Sequence, residues 1–297
     1  MRDCPVRTAS NTVDRMRRLN ILHRTYYNFH GAVVLEPHRL LLRPREGPGL
    51  HIESSQLDIA PVAQLRWLRD AYDNSVAIAS FSAPATQLAI ISHCLVQQFD
   101  EAPLDFLVAD SAVDYPFSYD AESSQVLEPY WRGAQYPSPA LQDWLQQYWK
   151  PGDHVQTYTL LARLCSGIHR SFAYQMREQP GVQQPDETLA RGVGSCRDFA
   201  SLFMEAARCL GLAARFVSGY LHAPSVDGSS GSTHAWAEVY LPGAGWKGFD
   251  PTSGEIAGSR HIAVAVARLP DTVSPVTGTF LGTAGAELTV GVWVSEV

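Results

Sequence analysis

Nowhere in the chain's 297 residues do about eighteen apolar side chains follow one another, so no membrane-spanning helix is expected. The opening Met-Arg-Asp-Cys-Pro-Val-Arg-Thr has no apolar stretch of the kind a secretory signal needs. Cys-x-x-Cys is absent, and the five cysteines, at 4, 94, 165, 196 and 209, are odd in number and far apart, which argues against a disulfide framework. A reducing cytoplasm is the expected compartment, and it also preserves a reactive thiol. Lysine and arginine form no stripe and the net charge is only −7, so neither nucleic acid nor a membrane is an expected partner. Gly192-Val-Gly is a poor phosphate loop and no dinucleotide fingerprint occurs. His23, His30, His38, His51 and His93 share no metal-ligand spacing. No cofactor and no metal is therefore expected.

With 45% of residues hydrophobic and 18% charged, the chain can bury one large core or two ordinary ones, and two domains are expected. Residues 1–20 show no periodic pattern and read as an arm. Within 21–100, short β-like runs at 22–29, 39–43, 51–59, 76–81 and 88–96 are separated by Pro/Gly breaks, as in an antiparallel sandwich or small barrel. Residues 101–137 are acidic, but Tyr115, Phe117, Tyr119, Tyr130 and Trp131 would be out of place in a disordered linker. This connecting segment is expected to lie against the protein. Over 138–297 helices and strands mix. Ser138-Pro139 starts a short helix, and 157–172 carries Leu161, Leu164, Ile168 and Phe172 on one face. Residues 178–188 read as a Gln/Pro-rich loop, and strand patterns at 214–222, 261–267 and 288–294 are expected to share one sheet. The fold class is α+β: a helix packed on an antiparallel sheet, behind a β-sandwich domain.

Residues 191–211 are the stretch around which the rest can be arranged. Gly192 and Gly194 break the chain, Ser195 is a preferred N-cap, and Asp198 three positions on completes an acidic form of the capping box. A helix therefore begins at Cys196. Phe199, Leu202, Phe203, Ala206 and Leu210 follow at helical spacing, and Gly211 stands where a left-handed C-terminal residue is expected. Cys196 is thereby held at the open end of a core-anchored helix. There the first-turn amides and the macrodipole favour a thiolate and can receive an oxyanion. A small, inert core thiol is the plainer alternative.

The partners such a thiol needs lie downstream. Residues 233–241 alternate, with His234, Trp236, Glu238 and Tyr240 on one side and Ala235, Ala237, Val239 and Leu241 on the other, so His234 opens a strand. The Gly/Ser-rich 223–233 reads as a mobile loop delivering it. Residues 242–245 turn the chain and 246–250 return it, stopped by Pro251. With a three-residue loop, Leu241 faces Gly245 and Asp250 falls opposite Trp236, diagonal to His234 on the same face. An even loop would turn Asp250 to the other face unless a bulge restored it. Cysteine, histidine and aspartate in these places are a nucleophile, a base and an orienter for acyl transfer.

The segments Gly-Ser-Cys-Arg-Asp-Phe-Ala (194–200), Gly-Leu-Ala-Ala-Arg-Phe-Val-Ser-Gly-Tyr-Leu (211–221), His-Ala-Trp-Ala-Glu-Val-Tyr-Leu-Pro (234–242) and Gly-Trp-Lys-Gly-Phe-Asp-Pro-Thr (245–252) resemble the bacterial transglutaminase-like proteins, a group that includes candidate cysteine proteases. His-Arg-Thr-Tyr-Tyr (23–27) and Arg-Leu-Leu-Leu-Arg-Pro-Arg (39–45) are similar to their β-rich N-terminal region, and Val-Ser-Pro-Val-Thr-Gly (273–278) to their tail. The resemblance implies a papain-like core with nucleophile Cys196, base His234 and orienter Asp250. Ser195 and Arg197 stand where the family would lead us to expect Val and Gln, and Ala-Arg-Leu-Pro (267–270) replaces a usual Gly-Arg-Asp-Tyr. These departures leave the three positions intact and bear on the rim of the cleft.

The expected activity is cysteine-dependent acyl transfer on a peptide or protein amide through a thioester, resolved by water or by a second amine. Hydrolysis is the simpler outcome because it needs no second binding site. A catalytically silent module that grips a peptide is the alternative from another class. A metal site made of Cys196, His234 and Asp250 is a third, and it lacks a fourth ligand. Asp198 is adequately explained as a capping carboxylate. Trp236 either lines the acyl site or packs beside His234.

Overall fold

The computed structural model describes residues 16–99, 104–132, 138–177, 179–222, 233–283 and 285–297. The first region is built from β1 (Arg17–Leu35), β2 (His38–Leu40), β3 (Leu50–Ala60), β4 (Gln64–Arg69), β5 (Ser75–Ser80) and β6 (Ala85–Gln98). In β1 the residues Leu19, Ile21, His23 and Thr25 are buried while those between them are more open, the period that makes a strand with one covered face. Its pairing with β6 runs from Arg17 opposite Gln98 to Asn28 opposite Gln87, with an irregularity before Val33 meets Ala85. The strand therefore takes in residues 17–20, which the sequence assigned to an arm; residues 1–15 lie outside the described ones. Strand β4 was not expected. Its residues are largely exposed, so no apolar alternation marks it, and its hydrogen bonds to β5 alone make it a strand.

The acidic segment lies against the protein, as expected. The Tyr115 hydroxyl donates to Leu210 O at 2.7 Å and that of Tyr119 to Tyr240 O at 2.9 Å. It also contains a helix, α1 (Ala121–Trp131), whose start is capped by the Asp120 carboxylate accepting Ser123 N–H at 2.7 Å. Next come α2 (Pro139–Leu145), α3 (Thr157–Ser171), α4 (Pro185–Arg191) and α5 (Cys196–Cys209). Helix α4 corrects the reading of 178–188 as loop. Pro185 sits in its first turn with Asp186 and Glu187, and Gly192 ends it with φ 68°, so the signals of a short helix are present although its apolar face is not.

Five antiparallel strands follow: β7 (Ala214–Leu221), β8 (His234–Leu241), β9 (Gly245–Asp250), β10 (Glu255–Ile256) and β11 (His261–Ala267), in the order β10-β9-β8-β7-β11. Residues 223–232, read from sequence as a mobile loop, lie outside the described ones. Helix α5 covers one face of this sheet. Phe199, Leu202, Phe203 and Ala206 share a buried cluster with Ala235, Ala237, Val239 and Leu241 of β8 and Phe249 of β9. Each such Leu or Phe contributes on the order of 2 kcal/mol by leaving water. The opposite face of β8 is left to His234, Trp236 and Glu238.

The chain ends with β12 (Val276–Thr277), β13 (Phe280–Leu281) and β14 (Ala286–Glu296). Strand β14 does not close the core sheet. It pairs with β1 from Leu19 opposite Glu296 to Phe29 opposite Ala286, while β12 pairs with β2 and β13 with the end of β1. An alternating pattern encodes which face is covered and says nothing about which edge the strand joins. The last residues thus return to the first region, whose Leu19, Ile21, Ile52 and Val96 share one buried cluster with Val292 and with Tyr220, Ile262 and Val264 of the core sheet. Polar ties reinforce this junction. Arg45 N–H donates to Ala263 O at 2.8 Å, and the buried Asn74 amide donates to Val266 O at 2.8 Å while accepting Val266 N–H at 2.9 Å. Strand β11 is therefore held from both sides. Among the described residues no helix is long and apolar enough to cross a membrane.

Candidate active site

At the mouth of α5 the capping residues do more than close a helix. Asp198 is fully buried; its Oδ2 accepts the Ser195 N–H at 2.8 Å and the Ser195 hydroxyl at 2.7 Å. Its Oδ1 accepts Gln183 N–H at 2.7 Å and Arg177 Nη1 at 2.6 Å. Burial works to raise the carboxyl's pKa, but the Gln183 and Ser195 donors and the Arg177 guanidinium hold it below the usual carboxylate range. Arg197 donates from the same turn to the carbonyls of Arg177 and Gln179. Asp198 and Arg197 thus tie Arg177, Gln179 and Gln183 to the helix turn that carries Cys196, which stays partly exposed. The other described cysteines are also free, but burial pushes the Cys209 thiol up to about 12 and Cys165 higher still.

Strands β8 and β9 are joined by a three-residue loop, with Leu241 opposite Gly245 and Ala237 opposite Phe249. That parity places Asp250 on the His234 face. His234 Nε2 meets Asp250 Oδ2 at 2.8 Å, both side chains being largely withdrawn from solvent. With Nε2 taken, Nδ1 is the nitrogen left for Cys196, which lies near enough to act on the ring. Burial opposes a charged ring here, yet the bond to Asp250 and the charges of Asp250 and Cys196 raise the His234 pKa to about 10. Burial would likewise raise the Asp250 pKa, and the two rings bonded to it, His234 and His261, instead hold that carboxyl far below the usual range. The structure thus pairs His234 with Asp250, and Cys196 stands at the mouth of α5 near the ring.

Trp236 is buried on the same face, stacked on His234 at 6.1 Å between ring centres and edge-on to His261 at 5.1 Å. Two glycines on the flanking strands make room for its indole. A Cβ at Gly219 of β7 would stand 2.7 Å from the Trp236 ring and 2.2 Å from Ile262 O, and one at Gly248 of β9 would come within 3.3 Å of Trp236 Nε1. Trp236 thus packs beside His234 and also reaches the wall of a cleft. A cleft of about 340 Å³ between the first region and the core is lined by Arg45, Glu46, Trp236, Glu238, Lys247 and His261 among others; Cys196 is not part of its lining.

His261 is the member of the site that sequence reasoning missed. Its Nε2 lies 3.1 Å from Asp250 Oδ2, and its Nδ1 accepts Gly258 N–H at 3.2 Å. No spacing announces this, because β11 is separated from β8 by the whole of β7 and the contact depends on the small residue Gly219 between them. His234, Asp250 and His261 each offer a ligand atom within 4.8 Å of the others, so among the described residues they are the group whose spacing could suit a metal ion.

Residues 150–251 match the transglutaminase-like superfamily, and residues 19–97 match the bacterial transglutaminase-like N-terminal region. Cys196, His234 and Asp250 all fall within the first of these spans. An uncharacterized protein of Mycobacterium tuberculosis is 29% identical over 281 residues, covering 88% of this chain and 87% of its own length. One of Mycobacterium leprae is 24% identical over 301 residues, covering 95% and 100% respectively. The crystal structure of a candidate cysteine protease from Cytophaga hutchinsonii superimposes with a TM-score of 0.67 at 17% identity, covering 95% of this chain and 91% of that one. At that identity the likeness is one of fold.

Proposed function

We propose, from the match of residues 150–251 to the transglutaminase-like superfamily and of residues 19–97 to the bacterial transglutaminase-like N-terminal region, that this protein is a cysteine-dependent acyl-transfer enzyme acting on peptide or protein amides, with water as its ordinary acceptor. The observation that carries the reading is the His234 ring, bonded through Nε2 to a buried carboxylate, with the half-exposed thiol of Cys196 at a helix mouth near it. His234 takes the thiol proton, and the Cys196 sulfur attacks the amide carbonyl. The resulting oxyanion lies beside the first-turn N–H groups of α5. His234 returns the proton to the departing amine, a thioester remains, and water activated by the same ring releases the acid. Asp250 keeps the ring turned toward sulfur and stabilises it while charged.

Hydrolysis is favoured over cross-linking because it asks for no second binding site. The test is to incubate the protein with a peptide library, with and without a primary amine, and to identify products by mass. Shortened peptides that vanish in Cys196→Ala support hydrolysis, and amine-extended peptides support transfer. Absence of any product, together with slow iodoacetamide labelling of Cys196 at neutral pH that His234→Ala does not alter, points to a silent binding module.

A further inference from the structure

We propose that His261 is a positioning residue of this site, one that holds the Asp250 carboxylate against His234 without touching substrate. The proposal rests on the thiol, imidazole and carboxylate reading above. Two rings meet the same oxygen: Asp250 Oδ2 receives His234 Nε2 at 2.8 Å and His261 Nε2 at 3.1 Å. The Ser253 hydroxyl also donates to Oδ2 at 3.0 Å, and Thr252 N–H donates to Oδ1 at 2.9 Å. Together these four donors come close to saturating a carboxylate's acceptor sites.

The direction of the His261 bond is settled by its other nitrogen. Nδ1 accepts the backbone N–H of Gly258, and a nitrogen that accepts carries no proton. The single proton of the neutral ring is therefore on Nε2 and points at Oδ2. The same fact bears on metal binding at this trio. A metal on Nε2 of His261 would require the proton to move to Nδ1, where it would face the Gly258 N–H. The spacing suits an ion, but the tautomer does not.

Thr252 and Ser253 belong to the turn that follows Asp250, so they tie the carboxylate only to its own piece of chain. His261 comes from β11, which Ala263 and Val266 anchor to Arg45 and Asn74 of the first region. It is thus the donor that fixes Oδ2 relative to the rest of the molecule, and the Trp236 edge packs against its ring. The titratable and charged groups facing this array are Cys196 from α5 and Cys165 from α3, with Glu255 of β10; Arg45, Glu46, Glu238 and Lys247 line the cleft on the other side. None of them donates to Oδ2.

The test follows Cys196 alkylation by iodoacetamide against pH in the full chain and in the variants Asp250→Asn, His261→Leu and His261→Gln. The upper inflection of the wild-type profile reports loss of the His234 proton and is expected near 10. In His261→Leu, alkylation at neutral pH falls about tenfold, the lower end of what losing an orienting hydrogen-bond partner costs, and the inflection moves down toward the ordinary imidazole range. In His261→Gln, whose amide can donate to the same oxygen, both recover. A His261→Leu profile like the wild type, or an inflection that moves up, overturns the proposal. A wild type with no upper inflection, or one that Asp250→Asn leaves in place, instead overturns the underlying reading. Should His261→Leu not fold, nitrogen-15 spectra of histidine-labelled wild type decide: a proton fixed on Nε2 of His261 while His234 titrates upholds the proposal, and one on Nδ1 overturns it.

Discussion

Two withdrawn histidines, one in each region, sit at opposite extremes. His23 of β1 meets only neutral partners, Tyr220 Oη and Thr25 Oγ1, each at 3.0 Å. The Tyr220 hydroxyl donates onward to Leu42 O at 3.2 Å, so it accepts from His23 and the ring stays neutral. Burial lowers that ring's pKa to about 4. His234 is also largely buried, yet its bond to Asp250 and the charges of Asp250 and Cys196 raise its pKa to about 10. Burial by itself selects the uncharged imidazole; a buried carboxylate, already supplied with other donors, reverses the choice. In the first region a histidine joins two sheets, and in the core it holds a proton beside a thiol.

Removing the carboxylate breaks the contrast most completely. In Asp250→Asn, His234 becomes a buried ring among neutral groups, as His23 is, and amide hydrolysis is expected to fall on the order of 10⁴-fold, read as kcat/KM on the best library peptide. Asp198→Ala tests the mouth of α5. It strips Arg177, Gln183 and Ser195 of their shared acceptor and should cost about 3–5 kcal/mol, measured by urea unfolding.

The two histidines also predict opposite pH slopes of stability. For His23 the folded value of about 4 lies below the ordinary 6.5, so between those limits the unfolded chain binds a proton that the folded one refuses. Stability therefore falls on acidification through that window, by about 3 kcal/mol in all, and His23→Gln should flatten the acid limb. For His234 the sign is reversed: its contribution is complete below 6.5 and is lost as pH rises to about 10, and Asp250→Asn should flatten the alkaline limb. Urea midpoints measured across pH check both.

The smallest contrast is between two glycines. A methyl at Gly219 collides with Ile262 O and the Trp236 ring, whereas one at Gly47 of the first region meets nothing within 4 Å. Gly219→Ala should cost about 2 kcal/mol by overpacking, with slower Cys196 alkylation as Trp236 is pushed from His234, and Gly47→Ala should stay within about 0.5 kcal/mol.

What could be read from the chain beforehand was local. Ser195, Cys196 and Asp198 mark a helix start within four positions, and α5 begins at Cys196. The parity of the turn after Leu241 decides the face of Asp250, and the observed register is the three-residue one. Alternation marked β8 and apolar runs marked β7 and β11 as strands, but the exposed β4 has no such text, and α4 declares itself only through Pro185 and its acids.

Residue order along one or two adjacent elements therefore determined the thiol's place at a helix end and the shared face of His234 and Asp250, since caps and pleats act over a few residues. Which edge received β14, how four donors gathered on one carboxylate, and why His261 stands beside Asp250 were decided by the tertiary structure alone. Those contacts join strands separated by other strands, and they depend on a gap above Gly219 and an anchor at Asn74 that exist only once both regions have packed.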